Sequence, residues 1–391
     1  MTLKFLTHRM AQTFVTGSFL LAVSGIAGLA ACSNTIPDVM KIGVAGPLTG
    51  NKSPQGQDLL NGVKLAVDEL NKQGFKVKGK TVTLEIVAVD DRANPETGKE
   101  VARQLVDAGV VAVVGHFNSG VSIPAAPIYA EKGIAQLAIS TNVKYTALGL
   151  PTTFRLVAND GLQAKAIGSF AANQLNASKF AVVDDGTPYG KDLAAGAAAQ
   201  LKQAKKEVLL TQSFDNSTTA FGGLAQKLKE ANVEVVVTTL SDFQVLALLD
   251  SLKKVDYTKI SVLGGDTIKT TLMLKGAGMV SGIYASSPII EPGEFAAGKE
   301  FLAKYRAAFK TEPAYAGHYT YDAMYALAAA IRRAESANPT EIATALRKLD
   351  AYAPVTGSLK FDDKGEQRYG AISVYSLGSG KWESQMRSDI W

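Results

Sequence analysis

Two apolar segments in the first half of the chain end in small polar residues. VVAVVG, at residues 110–115, is followed by Asn118 and Ser119, and the segment AIST ends in Thr141. A helix that starts after such a turn offers free N–H groups and a partial positive charge, which suit a carboxylate. The hydroxyl of Ser119 would add a donor, although an ordinary helix N-cap explains this serine equally well. The pattern indicates a site for one anionic end of a small molecule.

The second half of the chain supplies candidates for the other end of that molecule. Asp266 follows the strand-like segment VLGG, and Tyr189 lies in the turn DDGTPYG. Asp266 could pair with an ammonium group or cap the next helix. Tyr189 could cover a ligand or pack within its turn. These residues become a site only if the fold brings them opposite Ser119.

Residue types that serve catalysis or metal binding are scarce. The chain has three histidines and one cysteine, and it lacks the G-x-S-x-G, H-E-x-x-H and C-x-x-C motifs. GPLTGNKS, at residues 46–53, resembles a phosphate-binding loop, but Asn51 stands where that loop needs a glycine before its lysine. We therefore expect no catalytic residue, no metal site and no cofactor.

The N-terminus predicts an export signal over residues 1–31. Lys4 and Arg9 precede an uncharged run at residues 14–31 that ends in small residues. A transmembrane anchor is the alternative for a run of this length. Three glycines and two serines weaken that alternative, and LAAC resembles the lipobox of bacterial lipoproteins. We expect lipidation of Cys32, the single cysteine, so the chain would have no disulfide.

Composition favours a soluble globular protein of two domains. The chain has 391 residues, of which 47% are hydrophobic and 20% charged. Removal of the signal would lower the formal net charge from +5 to +3, because Lys4 and Arg9 are lost. No basic run with interleaved aromatics occurs, so we expect no binding to nucleic acid.

Strand-like and helix-like segments alternate along the chain. For example, the segment at residues 59–70 has helical apolar spacing, and helices are also expected at 122–131 and 162–173. This rhythm predicts an α/β fold with mostly parallel sheets and helices on both faces. G-x-D-L-x-x-G occurs at 56–62 and again at 190–196, which indicates two related lobes. Ligands of such sheets bind beyond the carboxyl ends of the strands.

Taken together, several segments resemble the type I periplasmic binding proteins of the leucine-isoleucine-valine-binding family. The resemblance covers nearly all of the chain after the signal. Its carriers are VAGPLTG, GQDLLNGVKLAVDELN, VGHFNSG, STNVKYT, FRLVAND, VVDDGTPYGKDLA and YDAMYALAAAI.

The resemblance implies two doubly wound parallel-sheet lobes joined by a hinge. The tether would span residues 32–39. The N-terminal lobe would comprise residues 40–158 plus 289–370, and the C-terminal lobe residues 159–288 plus 371–391.

The resemblance also implies roles for individual residues around a bound amino acid. Asn118 and Ser119 would bind the α-carboxylate with Thr141 beside them. The carbonyl of Ile139 and the carboxylate of Asp266 would bind the ammonium group.

Three further residues would surround the rest of the ligand. Tyr189 would cover the ligand. Gln55 and Ser241 stand where branched-chain receptors have tyrosines, so the pocket for the ligand side chain departs from the family pattern.

The expected function is therefore capture of an amino acid, with an aliphatic or branched side chain, for an ABC importer. The protein would be an exported monomer that contacts the membrane only through its lipid anchor and delivers its ligand to the permease subunits. A ligand-sensing receptor that signals through a partner protein is the alternative, and an enzyme is a more distant one.

Overall fold

The computed structural model describes residues 35–378 and 380–389. The predicted signal peptide and Cys32 lie outside the described residues. Within the described ranges, no helix has both the length and the apolar character needed to cross a membrane.

Strands and helices alternate as the sequence predicts. The strands are β1 (Val39–Gly46), β2 (Lys76–Val77), β3 (Lys80–Thr81), β4 (Thr83–Asp90), β5 (Ala112–Gly115), β6 (Ala135–Ala138), β7 (Thr153–Arg155), β8 (Lys179–Asp184), β9 (Glu207–Ser213), β10 (Val235–Thr238), β11 (Ser261–Gly264), β12 (Gly282–Ser287), β13 (Asp350–Ala353), β14 (Gly357–Lys360), β15 (Ser373–Leu377) and β16 (Trp382–Arg387). The α-helices are α1 (Ser53–Lys72), α2 (Pro95–Asp107), α3 (Ser119–Ala130), α4 (Lys144–Ala147), α5 (Asp160–Asn173), α6 (Pro188–Gln203), α7 (Gly222–Glu230), α8 (Asp242–Lys254), α9 (Gly298–Phe309), α10 (Gly317–Ala334) and α11 (Pro339–Arg347).

Two large sheets organise these elements. The first has the order β4-β1-β5-β6-β7 and is parallel throughout. The second has the order β16-β15-β12-β11-β10-β8-β9 and is parallel except at β15 and β16. The predicted mostly parallel α/β architecture is confirmed.

Burial explains why the central strands are continuous apolar runs. All four residues of β5 are buried, as expected for a parallel strand with helices on both faces. On α1, a stripe that includes Val63, Ala66, Val67 and Leu70 packs into a core shared with β1 and α10. The helical apolar spacing predicted at residues 59–70 therefore reflects one buried face.

The chain passes between the sheets more than once. It leaves the first sheet after β7 and forms β8 to β12 of the second sheet. It then returns to the first core, where it adds α9, α10 and α11, and finally adds β15 and β16 to the second sheet. This route places the carboxyl ends of β5 and β6 near those of β10 and β11. The exact residue boundaries of the two lobes stay a prediction.

The predicted start of α3 is wrong by three residues. The helix begins at Ser119 rather than Ser122, and Pro124 and Pro127 lie inside it. Asn118 has an extended backbone and is the N-cap residue, so Ser119 is not the cap. The shift brings the first N–H groups of the helix directly to the strand end.

A candidate ligand-binding cavity between the two sheets

One cavity of about 810 Å³ lies where the carboxyl ends of the two sheets face each other. Seven of the eight predicted ligand-binding residues line it: Asn118, Ser119, Ile139, Thr141, Tyr189, Ser241 and Asp266. Gln55 does not line the cavity. It lies in the first turn of α1, where its side chain is buried and its Oε1 has no partner among the described residues.

Asp266 is held by three neutral donors. Its Oδ1 accepts hydrogen bonds from Tyr189 Oη at 2.8 Å and Gln163 Nε2 at 3.0 Å, and its Oδ2 accepts one from Tyr315 Oη at 2.6 Å. Asp266 begins a short 3₁₀ turn but does not cap it through its side chain, so the capping alternative is wrong. A buried carboxylate with neutral donors has no cationic partner here, which suits a ligand ammonium group.

The opposite wall offers donors that suit a carboxylate. Ser119 Oγ accepts a hydrogen bond from the Asn142 backbone N–H at 3.3 Å, which leaves its hydroxyl hydrogen free to donate. The N-terminus of α3 lies at the cavity, and the first N–H groups of a helix have no partner within it. Asn118 lines the same wall, and its buried Oδ1, which is an acceptor, has no partner among the described residues.

Sequence reasoning missed Tyr315, which lies just before α10. Its ring packs edge-on against Phe117, with centroids 5.3 Å apart. Its backbone N–H donates to Asp58 Oδ2 at 2.8 Å, and the N–H of Gly317 donates to the same oxygen at 2.7 Å. Asp58, the aspartate of the first G-x-D-L-x-x-G motif, therefore fixes the segment that carries Tyr315. The repeated motif was the available signal, although it did not show what Asp58 would contact.

Asp160 is a second buried carboxyl group that sequence reasoning did not assign. It begins α5 and lies beside the Thr141 side chain, but neither of its oxygens has a well-formed hydrogen bond among the described residues. Burial, reinforced by the negative charge of Asp266, raises the pKa of Asp160 to about 8. This pKa favours the protonated form at neutral pH in the ligand-free protein. Only its place at the start of a helix was visible in the sequence, and that position is common for acids.

Arg155 supports the turn that carries Thr141. Its fully buried guanidinium donates to the carbonyls of Ser140 and Asn142 and forms a two-pronged ion pair with Glu366, at 3.0 and 3.1 Å. Glu366 also accepts from Asn159 Nδ2 at 3.2 Å. One buried network thus joins the β6 turn to two segments that pass between the sheets.

An Asp–His pair lies outside the cavity. His116 Nδ1 is 2.7 Å from Asp91 Oδ2, and its Nε2 is 3.0 Å from Tyr129 Oη. All three side chains are buried, and burial holds the pKa of Tyr129 well above its ordinary value. This arrangement lacks an accessible nucleophile. Among the described residues no cluster of His, Cys, Asp and Glu could hold a metal ion.

Comparison with known proteins places this arrangement in context. A family model described as periplasmic binding protein matches residues 39–381. The Leu/Ile/Val-binding protein homolog 1 of Brucella abortus (strain 2308) is 31% identical over 377 residues, covering 96% of this chain and 97% of the relative. The leucine-, isoleucine-, valine-, threonine-, and alanine-binding protein of Pseudomonas aeruginosa is 30% identical, covering 94% and 96%.

Solved structures share the fold. The branched-chain amino acid transporter substrate binding protein LivJ of Streptococcus pneumoniae, solved in complex with isoleucine, is 25% identical with a TM-score of 0.78, covering 88% of this chain and 98% of that one. The leucine binding protein LivK of Thermotoga maritima is 23% identical with a TM-score of 0.79, covering 89% and 98%.

Proposed function

The chain belongs to the type I periplasmic binding protein family that includes the Leu/Ile/Val-binding proteins, and we propose that it captures a free α-amino acid between its two sheets. The family consists of substrate-binding proteins rather than enzymes and works outside the cytoplasm. The resemblance found in the sequence is therefore confirmed at the level of family and fold.

The observation that supports an amino acid is the pairing of opposite chemistries across one cavity. Asp266 presents a carboxylate that has only neutral partners, and the N-terminus of α3 with Ser119 presents donors. An ammonium group next to Asp266 and a carboxylate next to Ser119 would satisfy both walls at once. We assign Thr141, Ile139 and Asn118 to binding of the same α-carboxylate and ammonium groups, called the head group below. Tyr189 would cover the bound ligand.

We further propose that the protein delivers its ligand to the permease subunits of an ABC importer. Relatives with this fold are transporter binding proteins, which supports the role. The lobes would comprise residues 40–158 plus 289–370 and residues 159–288 plus 371–391, and they would close on the ligand by bending at the connecting segments.

The protein would act as a monomer held to the membrane by lipid on Cys32, and Cys32→Ala should abolish lipid labelling in cells.

A thermal-shift screen of the purified protein against the twenty amino acids tests the proposal. A ligand at 100 times its Kd stabilises the native state by about 2.7 kcal/mol, which is readily measured as a higher unfolding temperature. Stabilisation by at least one L-amino acid, and by neither its α-keto acid nor its decarboxylated amine, is the expected result. A protein that no amino acid stabilises would contradict the proposed function.

A further inference from the structure

The end of the cavity remote from Asp266 carries two positively charged side chains. Lys52 lies in the loop between β1 and α1, and Arg92 follows β4. Neither the ammonium of Lys52 nor the guanidinium of Arg92 has a hydrogen bond or a close ion pair with a described residue, although Lys52 lies near enough to Asp185 for their charges to attract. Both line the same cavity as Ser119.

The order of strands shows how far the strand ends that lead to these cations lie from the one that leads to Ser119. β5 leads into Ser119, β1 is its neighbour, and β4 is the next strand along. Adjacent strands are about 4.8 Å apart, so the strand end before Lys52 is about 5 Å from that of β5, and the strand end before Arg92 about 10 Å. A ligand side chain that extends from the α-carbon along this edge would approach both cations.

The opposing wall carries two carboxylates that form no close ion pair with either cation. Asp185 and Asp215 line this end too, but each carboxylate already closes its own turn. Asp185 Oδ1 accepts from Thr187 N–H at 3.1 Å and Oγ1 at 2.7 Å. Asp215 Oδ1 accepts from the backbone N–H and hydroxyl of Ser217. One oxygen of each carboxylate is thus engaged, whereas the Lys52 ammonium and the Arg92 guanidinium keep all their donors free for a ligand.

We propose that the preferred ligand is an α-amino acid whose side chain ends in a carboxylate, which Lys52 and Arg92 bind. The proposal rests on the proposed function, because the head group must first be held at Ser119 and Asp266. It differs from the aliphatic ligand expected from the family resemblance. That expectation came from the resemblance alone, whereas the cavity is lined by two cations that form no close ion pair.

Calorimetric titration with glutamate, glutamine and leucine tests the proposal. Glutamate and glutamine have nearly the same shape and differ in side-chain charge, and leucine has an apolar side chain of similar size. The variant is Lys52→Gln combined with Arg92→Gln. Its control, Lys227→Gln combined with Arg103→Gln, removes the same charge from exposed sites on α7 and α2.

Glutamate should bind the wild type at least about tenfold more tightly than leucine. The cavity variant should lose at least about tenfold in its affinity for glutamate, whereas its affinity for glutamine should change less than about threefold. The control should leave all three affinities unchanged. Tighter binding of leucine than of glutamate, or an equal loss for all ligands in the cavity variant, would overturn this proposal and leave the proposed function standing. Binding of no amino acid would overturn both.

Discussion

Tyr315 Oη donates a 2.6 Å hydrogen bond to Oδ2 of Asp266, and this bond joins the two halves of the molecule. Tyr315 precedes α10, which packs on the core of the first sheet, whereas Asp266 follows β11 of the second. The carboxylate proposed to bind the ligand ammonium is therefore oriented from both sides. This arrangement makes the geometry of the head-group site dependent on how the halves meet.

Removal of the Asp266 carboxylate should weaken every ligand that has an α-ammonium group. In Asp266→Ala the ligand ammonium loses its anionic partner, and Tyr189, Tyr315 and Gln163 lose their acceptor. A charge-assisted hydrogen bond contributes roughly 1.5–3 kcal/mol, so we expect affinity to fall at least about tenfold by calorimetry. Asp250→Ala, on the exposed end of α8, is the control. Wild-type affinity in Asp266→Ala would refute the ammonium assignment.

Ser119→Ala should weaken binding less than Asp266→Ala. The substitution deletes one hydroxyl donor, but the backbone N–H groups at the start of α3 remain. Because those N–H groups still bind the carboxylate, the loss should stay below the roughly 1.5–3 kcal/mol of a full charge-assisted hydrogen bond, which predicts a fall in affinity of less than about tenfold. Calorimetric titration of both variants with the same ligand measures the two losses of affinity and shows which is larger. A larger loss of affinity for Ser119→Ala than for Asp266→Ala would show that the ligand carboxylate is bound mainly by the hydroxyl and not by the helix terminus.

The sequence predicted that Ser119, Thr141 and Asp266 would lie around one cavity because parallel strands converge at their carboxyl ends. Ser119, Thr141 and Asp266 each follow a buried apolar segment, so their meeting followed from the fold class. Gln55 was placed by correspondence with relatives, but its position inside the first turn of α1 turns it away from the cavity, while Lys52 just before the helix lines it.

The other missed residues depend on tertiary packing. Tyr315 reaches Asp266 only because Asp58 binds the backbone of residues 315 and 317, a contact between positions 257 and 259 residues apart. Asp160 looks like an ordinary acid at a helix start, but it is buried, and groups that act on it, Thr141, Asp192 and Asp266, come from other segments of the chain. No local pattern encodes either relationship.

Tyr315→Phe should separate the hydrogen bond from the packing of the ring. The phenyl ring can still pack on Phe117, but Asp266 Oδ2 loses its donor. A buried acceptor left without a partner costs about 1–3 kcal/mol, so we expect the unfolding free energy of the ligand-free protein to fall by about that amount. Ligand affinity should fall as well, because the Asp266 carboxylate is no longer oriented from both sides. Tyr369→Phe, at an exposed tyrosine, is the control. Equal affinities of wild type and Tyr315→Phe would show that the link between the halves does not tune the site.

Asp160 should make the stability of the ligand-free protein depend on pH. Its native pKa of about 8 lies above the value near 4 of an exposed carboxyl, so between these values the folded protein keeps a proton that the unfolded chain releases. The free energy of unfolding therefore falls as pH rises through this window, by at most about 1.4 kcal/mol per pH unit from this group.

Asp160→Asn removes that dependence and leaves the other titrating groups in place. Measured by denaturant unfolding from pH 5 to 8, the variant should gain stability relative to wild type with increasing pH. For Asp68→Asn, at an exposed position on α1, the unfolding free energy should change with pH as it does for wild type. Parallel curves for Asp160→Asn as well would mean that Asp160 is ionised in the folded protein.

The Arg155 network should couple stability to ligand binding. Arg155 donates to the carbonyls on both sides of Thr141 and to both oxygens of Glu366, which needs the planar fork of a guanidinium. Lysine in Arg155→Lys keeps the charge but cannot reach all of these acceptors. We expect unfolding free energy to fall by about 1–3 kcal/mol and ligand affinity to fall with it, because the Thr141 turn loses its support.

Two further variants separate the charge from the geometry of that network. Glu366→Gln keeps an acceptor for Arg155 but leaves a buried guanidinium without an anion, so it should lower the unfolding free energy. The carbonyls beside Thr141 still accept from Arg155, so ligand affinity should change little. Arg333→Lys, on the exposed face of α10, should change neither quantity. If Arg155→Lys lost stability but bound ligand as tightly as wild type, Arg155 would support the connecting segments alone, and the position of Thr141 would be set by its own strand.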